Sequence, residues 1–332
     1  MTILPESLVV NLAVLAVAFV LLSKGADYLV NGSVGVAHRL NVPKVIIGIV
    51  LVSFGTTMPE FTVSVISAIQ DHAEIALGNA VGSVIVNVGV ALALGVLVSA
   101  TVFDIDKSVY TSVGIVFFSV AILTFVLGLD GKITRIEGGI LILGLVVYLS
   151  YLIVTEKRRK ERDYEREAVE ELEEHTTEGT LVKHIAVFVG GLAIVVISSR
   201  FLVESAVNVA QHFGVSETII GLTIIAIGTS LPEVATCIVA SRRGHGDLAF
   251  GDIMGANILN LLWIVGGAAV ARPIIVTTRE IFFMFPCMIG MVGTMFLLAL
   301  HRHELAKWNA VVLMVLYAAY VVATVLVFFS AT

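Results

Sequence analysis

Ser53-Phe-Gly-Thr-Thr-Met-Pro-Glu60 and Ala226-Ile-Gly-Thr-Ser-Leu-Pro-Glu233 are two copies of one segment, 173 positions apart. Each lies inside a long apolar run and ends on a carboxylate. A carboxylate within a membrane helix costs roughly 2.5–3.5 kcal/mol on insertion scales, so it persists where something offsets that cost. Pro59 and Pro232 have no backbone N–H, and their rings clash with the carbonyl four residues back. That frees carbonyls around Gly55 and Thr56, and around Gly228 and Thr229. Each helix then offers backbone oxygens, hydroxyls and a carboxylate at one depth. Thr56 and Glu60 would share one face of a continuous helix. Hard cations such as Ca2+ take an all-oxygen set of this kind. For one copy alone, a kinked helix with a satisfied polar residue explains as much; two copies favour a cation site.

The duplication extends outward from these segments. Val42-Pro-Lys-Val-Ile-Ile-Gly48 matches Val215-Ser-Glu-Thr-Ile-Ile-Gly221. Gly78-Asn-Ala-Val-Gly82 matches Gly251-Asp-Ile-Met-Gly255, and Asn87 matches Asn260, all at the same offset of 173. A bilayer core of about 30 Å needs about 20 apolar residues in a helix. On that basis ten spans are predicted, near 8–33, 44–70, 75–100, 109–129, 134–155, 184–211, 217–241, 247–270, 276–299 and 306–329. The first span has no basic segment before it and no cleavage pattern, and reads as a spanning helix. The expected fold is an all-α integral membrane protein. A first five-helix repeat covers 1–156 and a second covers 184–332, with a charged linker over 157–183. Five spans is an odd number, so the second copy enters from the opposite side. That is an inverted-topology repeat, common among secondary transporters.

Composition agrees: 58% of the 332 residues are hydrophobic and 14% charged, with a mean hydropathy of +1.01. Soluble domains run near a quarter charged. No basic face points to nucleic acid. The two cysteines cannot form a secreted-type disulfide framework. If the spans alternate, one side collects 14 Lys and Arg and the other 4. The basic side is expected in the cytoplasm, with both termini outside and the linker cytoplasmic. Charge-paired helix and solvated coil both fit the linker.

The third and eighth spans add amides and a hydroxyl. Ser83 and Asn87 are four apart on one helical face; their mates are Ala256 and Asn260, with Asn257 alongside. Asn87 and Asn260 read either as ligands or as hydrogen-bonding glue between helices. Asn79 and Asp252 read either as helix caps or as ligands. Lys24 with Asp27, and Arg200 with Glu204, read as local ion pairs.

The paired Gly-Thr-[Thr/Ser]-[Met/Leu]-Pro-Glu motifs are each followed by Gly-[Asn/Asp]-x-x-Gly-[Ser/Ala] and a closing Asn. They resemble the two alpha-repeats of the sodium/calcium exchanger family, over roughly 44–100 and 217–270. The resemblance implies that Glu60, Glu233 and the carbonyls of Thr56 and Thr229 hold Ca2+. It implies Na+ ligands at Ser53, Thr57, Ser83, Ala226 and Ser230, with backbone oxygens at Ser53 and Ala226. Two positions depart from the pattern: Ala256 stands where many members have Ser, and Asn260 where some have Asp. The expected activity is Ca2+/Na+ antiport in the cell membrane, with no cofactor beyond the transported ions. The alternative is a Ca2+/H+ antiporter of the same superfamily, and a cation channel is a third reading. An enzyme is not expected, because His-Glu-x-x-His and nucleophile-elbow signatures are missing.

Overall fold

In a computed structural model, the protein is described over residues 7–69, 73–100, 103–105, 107–167, 180–213, 228–278, 280–300 and 303–329. The helices are α1 (Leu8–Leu40), α2 (Lys44–Thr56), α3 (Met58–Ile69), α4 (Ala76–Val98), α5 (Lys107–Gly128) and α6 (Arg135–Glu167). They continue as α7 (Leu181–His212), α8 (Leu231–Arg242), α9 (Gly246–Ala271), α10 (Glu280–Ala299) and α11 (Lys307–Phe329). Eight of these are long and apolar enough to cross a membrane, and the bent pair α2–α3 makes a ninth among the described residues. Of the expected seventh span, 217–241, the stretch 217–227 lies outside the described residues and α8 forms the remainder.

The 173-residue offset reappears in the elements. Leu8 and Leu181 open α1 and α7, Met58–Ile69 corresponds to Leu231–Arg242, and π-helical turns begin at Asn87 and Asn260. The helices outrun the apolar windows. α1 continues to Leu40 and is closed by Asn41 in the left-handed conformation, whose N–H reaches Ala37 O and His38 O. Asn tolerates that conformation because its short polar side chain can bond locally. α6 stays helical through Glu167, so the backbone of 157–167 continues the fifth span; 168–179 lies outside the described residues.

The longest interhelical contact joins α1 to α7, antiparallel. Gly25 lies against Ile194 and Val195, Gly32 against Phe188, Gly35 against His184 and Gly191 against Leu29. At the far end Asn208 donates to Asn11 at 2.9 Å. Glycines at these positions let two backbones touch, the packing that replaces the hydrophobic effect inside lipid. α4 and α9 form the centre: 72% and 83% of their apolar windows are buried, against 17–39% for the other long spans. Two short antiparallel pairs close the ends. β1 (Phe103–Asp104) pairs with β4 (Glu304–Leu305), and β2 (Lys132–Ile133) pairs with β3 (Ile274–Ile275). Each pair joins a loop of the first half to a loop of the second.

One expectation is corrected. Asp27 does not form its ion pair with Lys24, which is exposed; it pairs with Arg243, 2.6 Å away at the end of α8. The reason is tertiary. α1 packs on α8, so a longer-range arginine reaches the carboxylate that local spacing assigned to its neighbour. Nearby, the Lys44 ammonium donates to His245 Nδ1 at 3.1 Å, tying the start of α2 to the turn before α9. Burial and the Lys44 charge hold the His245 imidazole below its usual pKa; Arg243 adds to the effect and Asp247 opposes it.

Two consequences are measurable. A β-carbon on Gly191 would meet Leu29 N at 2.4 Å, whereas nothing lies within 4 Å of one on Gly190. Gly191→Ala should therefore cost about 1–3 kcal/mol of stability by overpacking. Gly190→Ala should be neutral or slightly stabilising, since Ala is the better helix former. Melting of the two variants in detergent tests the contrast, and equal melting temperatures would contradict it. For His245 the folded pKa lies below the unfolded value of 6.5, so its neutral form is the one that favours folding. That contribution is complete above the unfolded value and is lost as pH falls through the folded one. The difference in melting temperature between wild type and His245→Gln should thus shrink on acidification from about pH 8 to about pH 5.

Candidate ion-binding site

The site begins where α2 breaks. A π-helical turn over Gly48–Val52 leads into Ser53–Thr56, Thr57 adopts φ −80 and ψ −5, and the axis bends by 45° into α3. Pro59 lacks the N–H that would reach back to Gly55. On either side of it Thr57 N still bonds Ser53 O at 2.9 Å and Phe61 N bonds Thr57 O at 3.0 Å. In the second half Ser230 stands at the N-terminal boundary of α8 without a side-chain bond to it, and Pro232 occupies its first turn. π-helical turns and proline breaks both withdraw carbonyls from the regular ladder and are frequent at functional sites.

These breaks bring carboxylates inward. Glu60 and Glu233 are each 1% exposed. Thr57 donates to Glu233 Oε1 at 3.2 Å, a bond between the two halves. Asp252 accepts from Thr236 at 2.7 Å and from Thr56 at 3.4 Å, again joining the halves. Asn79, the sequence mate of Asp252, donates to Ser64 at 2.9 Å and to the Glu60 carbonyl at 3.5 Å. Asn87 on α4 donates to Asn257 on α9 at 3.1 Å.

What remains is a set of oxygens without a protein partner. Glu60 Oε2, Glu233 Oε2, Ser83 Oγ, Thr229 Oγ1, Ser230 Oγ, Asn87 Oδ1 and Asn260 Oδ1 are all buried and unpaired. Such groups are few in native proteins, and each one needs a reason. All seven are hard oxygen donors of the kind Ca2+ and Na+ accept. Among the described residues no three His, Cys, Asp or Glu side chains share a metal-binding geometry. The centre is instead a mixed set of carboxylates, hydroxyls and amides.

The residues read from the sequence sort as follows. Ser53, Thr56, Thr57, Glu60, Ser83, Asn87, Ser230, Glu233 and Asn260 are all buried. Ser53 Oγ donates to Ile49 O, and Gly255 packs directly against that hydroxyl. Thr229 is half-buried and opens onto a cavity of about 710 Å³ that also touches Met58, Pro59, Thr62, Ser199 and Glu204. Ala226 lies outside the described residues. Asp252 is settled as inward-facing and not as a helix cap: it lies within α9, is 1% exposed and serves two threonines. Thr236 was missed. Its signal was its place three residues after Glu233, on the same helical face.

A sequence model described as sodium/calcium exchanger protein matches residues 10–154 and 183–326. The chain is 30% identical to the sodium/calcium exchanger MaX1 of Methanosarcina acetivorans, over 94% of this chain and 98% of that one. It is 35% identical to the putative antiporter CaxA of Alkalimonas amylolytica, over 77% and 79%. The solved structure of the sodium-calcium exchanger NCX_Mj soaked with Na+ and Sr2+ superposes with a TM-score of 0.81 at 23% identity, covering 95% of this chain and 99% of that one. That similarity is one of fold. With both halves matched and a relative aligned almost end to end, the chain is a multi-pass membrane member of the sodium/calcium exchanger family, whose members exchange cations and are not enzymes.

Proposed function

We propose that the chain is a secondary active antiporter exchanging Ca2+ for Na+ by alternating access at a centre built on Glu60 and Glu233. One observation carries this reading: both carboxylates are buried, and each keeps an oxygen that no protein group satisfies. In this reading Glu60, Glu233 and the carbonyls of Thr56 and Thr229 hold Ca2+. Ser53, Thr57, Ser83, Ala226 and Ser230 serve Na+, with the Asn87 and Asn260 amide oxygens facing the same centre. Two carboxylates bring about two negative charges into a medium of low dielectric, where uncompensated charge is costly. One Ca2+ or a set of Na+ ions neutralises them, and the empty centre is discouraged from crossing. That penalty couples the two fluxes.

The architecture that suits this mechanism has ten spans, arranged as a repeat over 1–156 and an inverted repeat over 184–332. The antiparallel packing of α1 on its sequence mate α7 supports the inversion. The 14-to-4 imbalance of Lys and Arg supports outside termini and a cytoplasmic linker at 157–183. The name of the Methanosarcina relative, a sodium/calcium exchanger, supports Na+ as the counter-ion. Asp252 favours a second reading, Ca2+/H+ exchange, because it puts a third buried carboxylate beside Thr56.

Glu60→Gln and Glu233→Gln keep shape and hydrogen-bonding capacity while removing charge. Each should reduce Ca2+ exchange in proteoliposomes by about a hundredfold or more, in line with losing a charged contact that has no substitute. Normal exchange in both variants, with the protein folded, would remove the assignment. The counter-ion is read separately, from radioactive Ca2+ uptake under imposed Na+, K+ or H+ gradients. Uptake should follow the Na+ gradient; uptake that follows only the H+ gradient would replace the first reading with the second.

A further inference from the structure

Two features lie at opposite ends of α8, the first of them bordering the ion centre. The cavity of about 710 Å³ is lined by Gly228, Thr229 and Pro232, at the start of that helix. Arg243 follows its last residue, about 16 Å further along at 1.5 Å per residue. There its guanidinium donates to Asp27 Oδ1 at 2.6 Å and also to Asn31 Oδ1, both on α1.

The duplication turns this into a comparison between the ends. The mates of Asp27 and Asn31 are Arg200 and Glu204, which line the cavity. The mate of Arg243 is Gln70, an uncharged residue. The residue types of the Asp–Arg pair are thus not repeated at the mate positions of the sequence. Burial follows the same division. Val63 on the cavity side is 44% exposed, while its mate Thr236 is 2% exposed. Thr229 and Val203 are half-buried, while their mates Thr56 and Val30 are 0% and 2% exposed. One end opens onto the cavity; at the other, closed end Arg243 is bonded across to α1.

We propose that Arg243, acting through Asp27 and Asn31, is a positioning residue of the exchange cycle that holds α1 against α8 and keeps the end opposite the cavity shut. To open that end, α1 must leave α8 and the charge-assisted bonds must break. The pair has side-chain exposures of 34% and 30%, so water and salt weaken it and it can open reversibly. Alternation of access is taken from the exchange reading above; the latch itself is a property of the closed end and does not depend on which ion is carried.

The test uses the full-length chain in detergent, without cargo ions, with Cys237 and Cys287 replaced by Ala. A reporter cysteine is placed at Ala235, the mate of cavity residue Thr62, and its rate of reaction with a polar maleimide is followed. Because that end is closed, the rate measures the fraction of time it opens. Arg243→Gln and Asp27→Asn should each raise it about three- to fivefold, the range expected for a partly exposed ion pair. The swap Asp27→Arg with Arg243→Asp should bring it back toward the original value. A rate within about twofold of the original in both single variants would overturn the proposal, as would a swap that reacts as fast as they do. The reporter Thr62→Cys on the open side should not gain reactivity; a parallel rise there would mean general loosening and would also overturn it. Labelling needs no transport. Loss of the Glu60 and Glu233 assignment would leave this result standing, and an unchanged rate would leave that assignment untouched.

Discussion

Buried carboxyl oxygen is the constraint on which the rest of this molecule depends. Glu60, Glu233 and Asp252 are buried in a bundle whose surroundings are almost wholly apolar. Isolated, each would cost several kcal/mol. The fold answers with hydroxyls: Thr57 serves Glu233, and Thr56 and Thr236 serve Asp252. Thr56 and Thr236 remain half-committed, since they also face carbonyls of their own helices. Protein groups thus compensate only part of the charge, and the part left over defines what the centre can attract.

Placing those groups takes irregular backbone held inside regular helices. The π-helical turns at Asn87 and Asn260 are buried against other helices, and the break between α2 and α3 borders the cavity. Irregular backbone at membrane depth is tolerated only when protein or a polar cavity surrounds it. This is why α4 and α9, which carry the amides, are the most buried spans, while α1 and α7 pack side by side through glycines at the margin.

The helices, the breaks at the prolines and the duplication were legible in the sequence because each leaves a local mark: an apolar run, a missing N–H, a repeated spacing. Hydropathy did not show where α1 and α6 stop, since it tracks apolar windows and a helix can continue past them into water. The inward face of Asp252 was equally hidden. A carboxylate near a span end caps a helix or enters the core according to what packs beside it, here Thr56 and Thr236 from two other helices. Asp27 shows the same limit, because its partner stands more than two hundred residues away. What local spacing cannot supply is the identity of a distant neighbour.

The two short strand pairs carry a consequence for how the chain is made. Phe103 meets Leu305, and Lys132 meets Ile275. Synthesis runs from the N-terminus, at roughly 5–20 residues per second. The loop after α4 therefore waits on the order of ten seconds or more before its partner leaves the ribosome, if nothing else delays it. Until then its strand edge is unpaired, and unpaired edges invite the wrong neighbour. The early half keeps two unpaired strand edges, completed only when β3 and β4 arrive. A chain cut between its halves would thus leave two incomplete pieces, each missing the strands that close its ends.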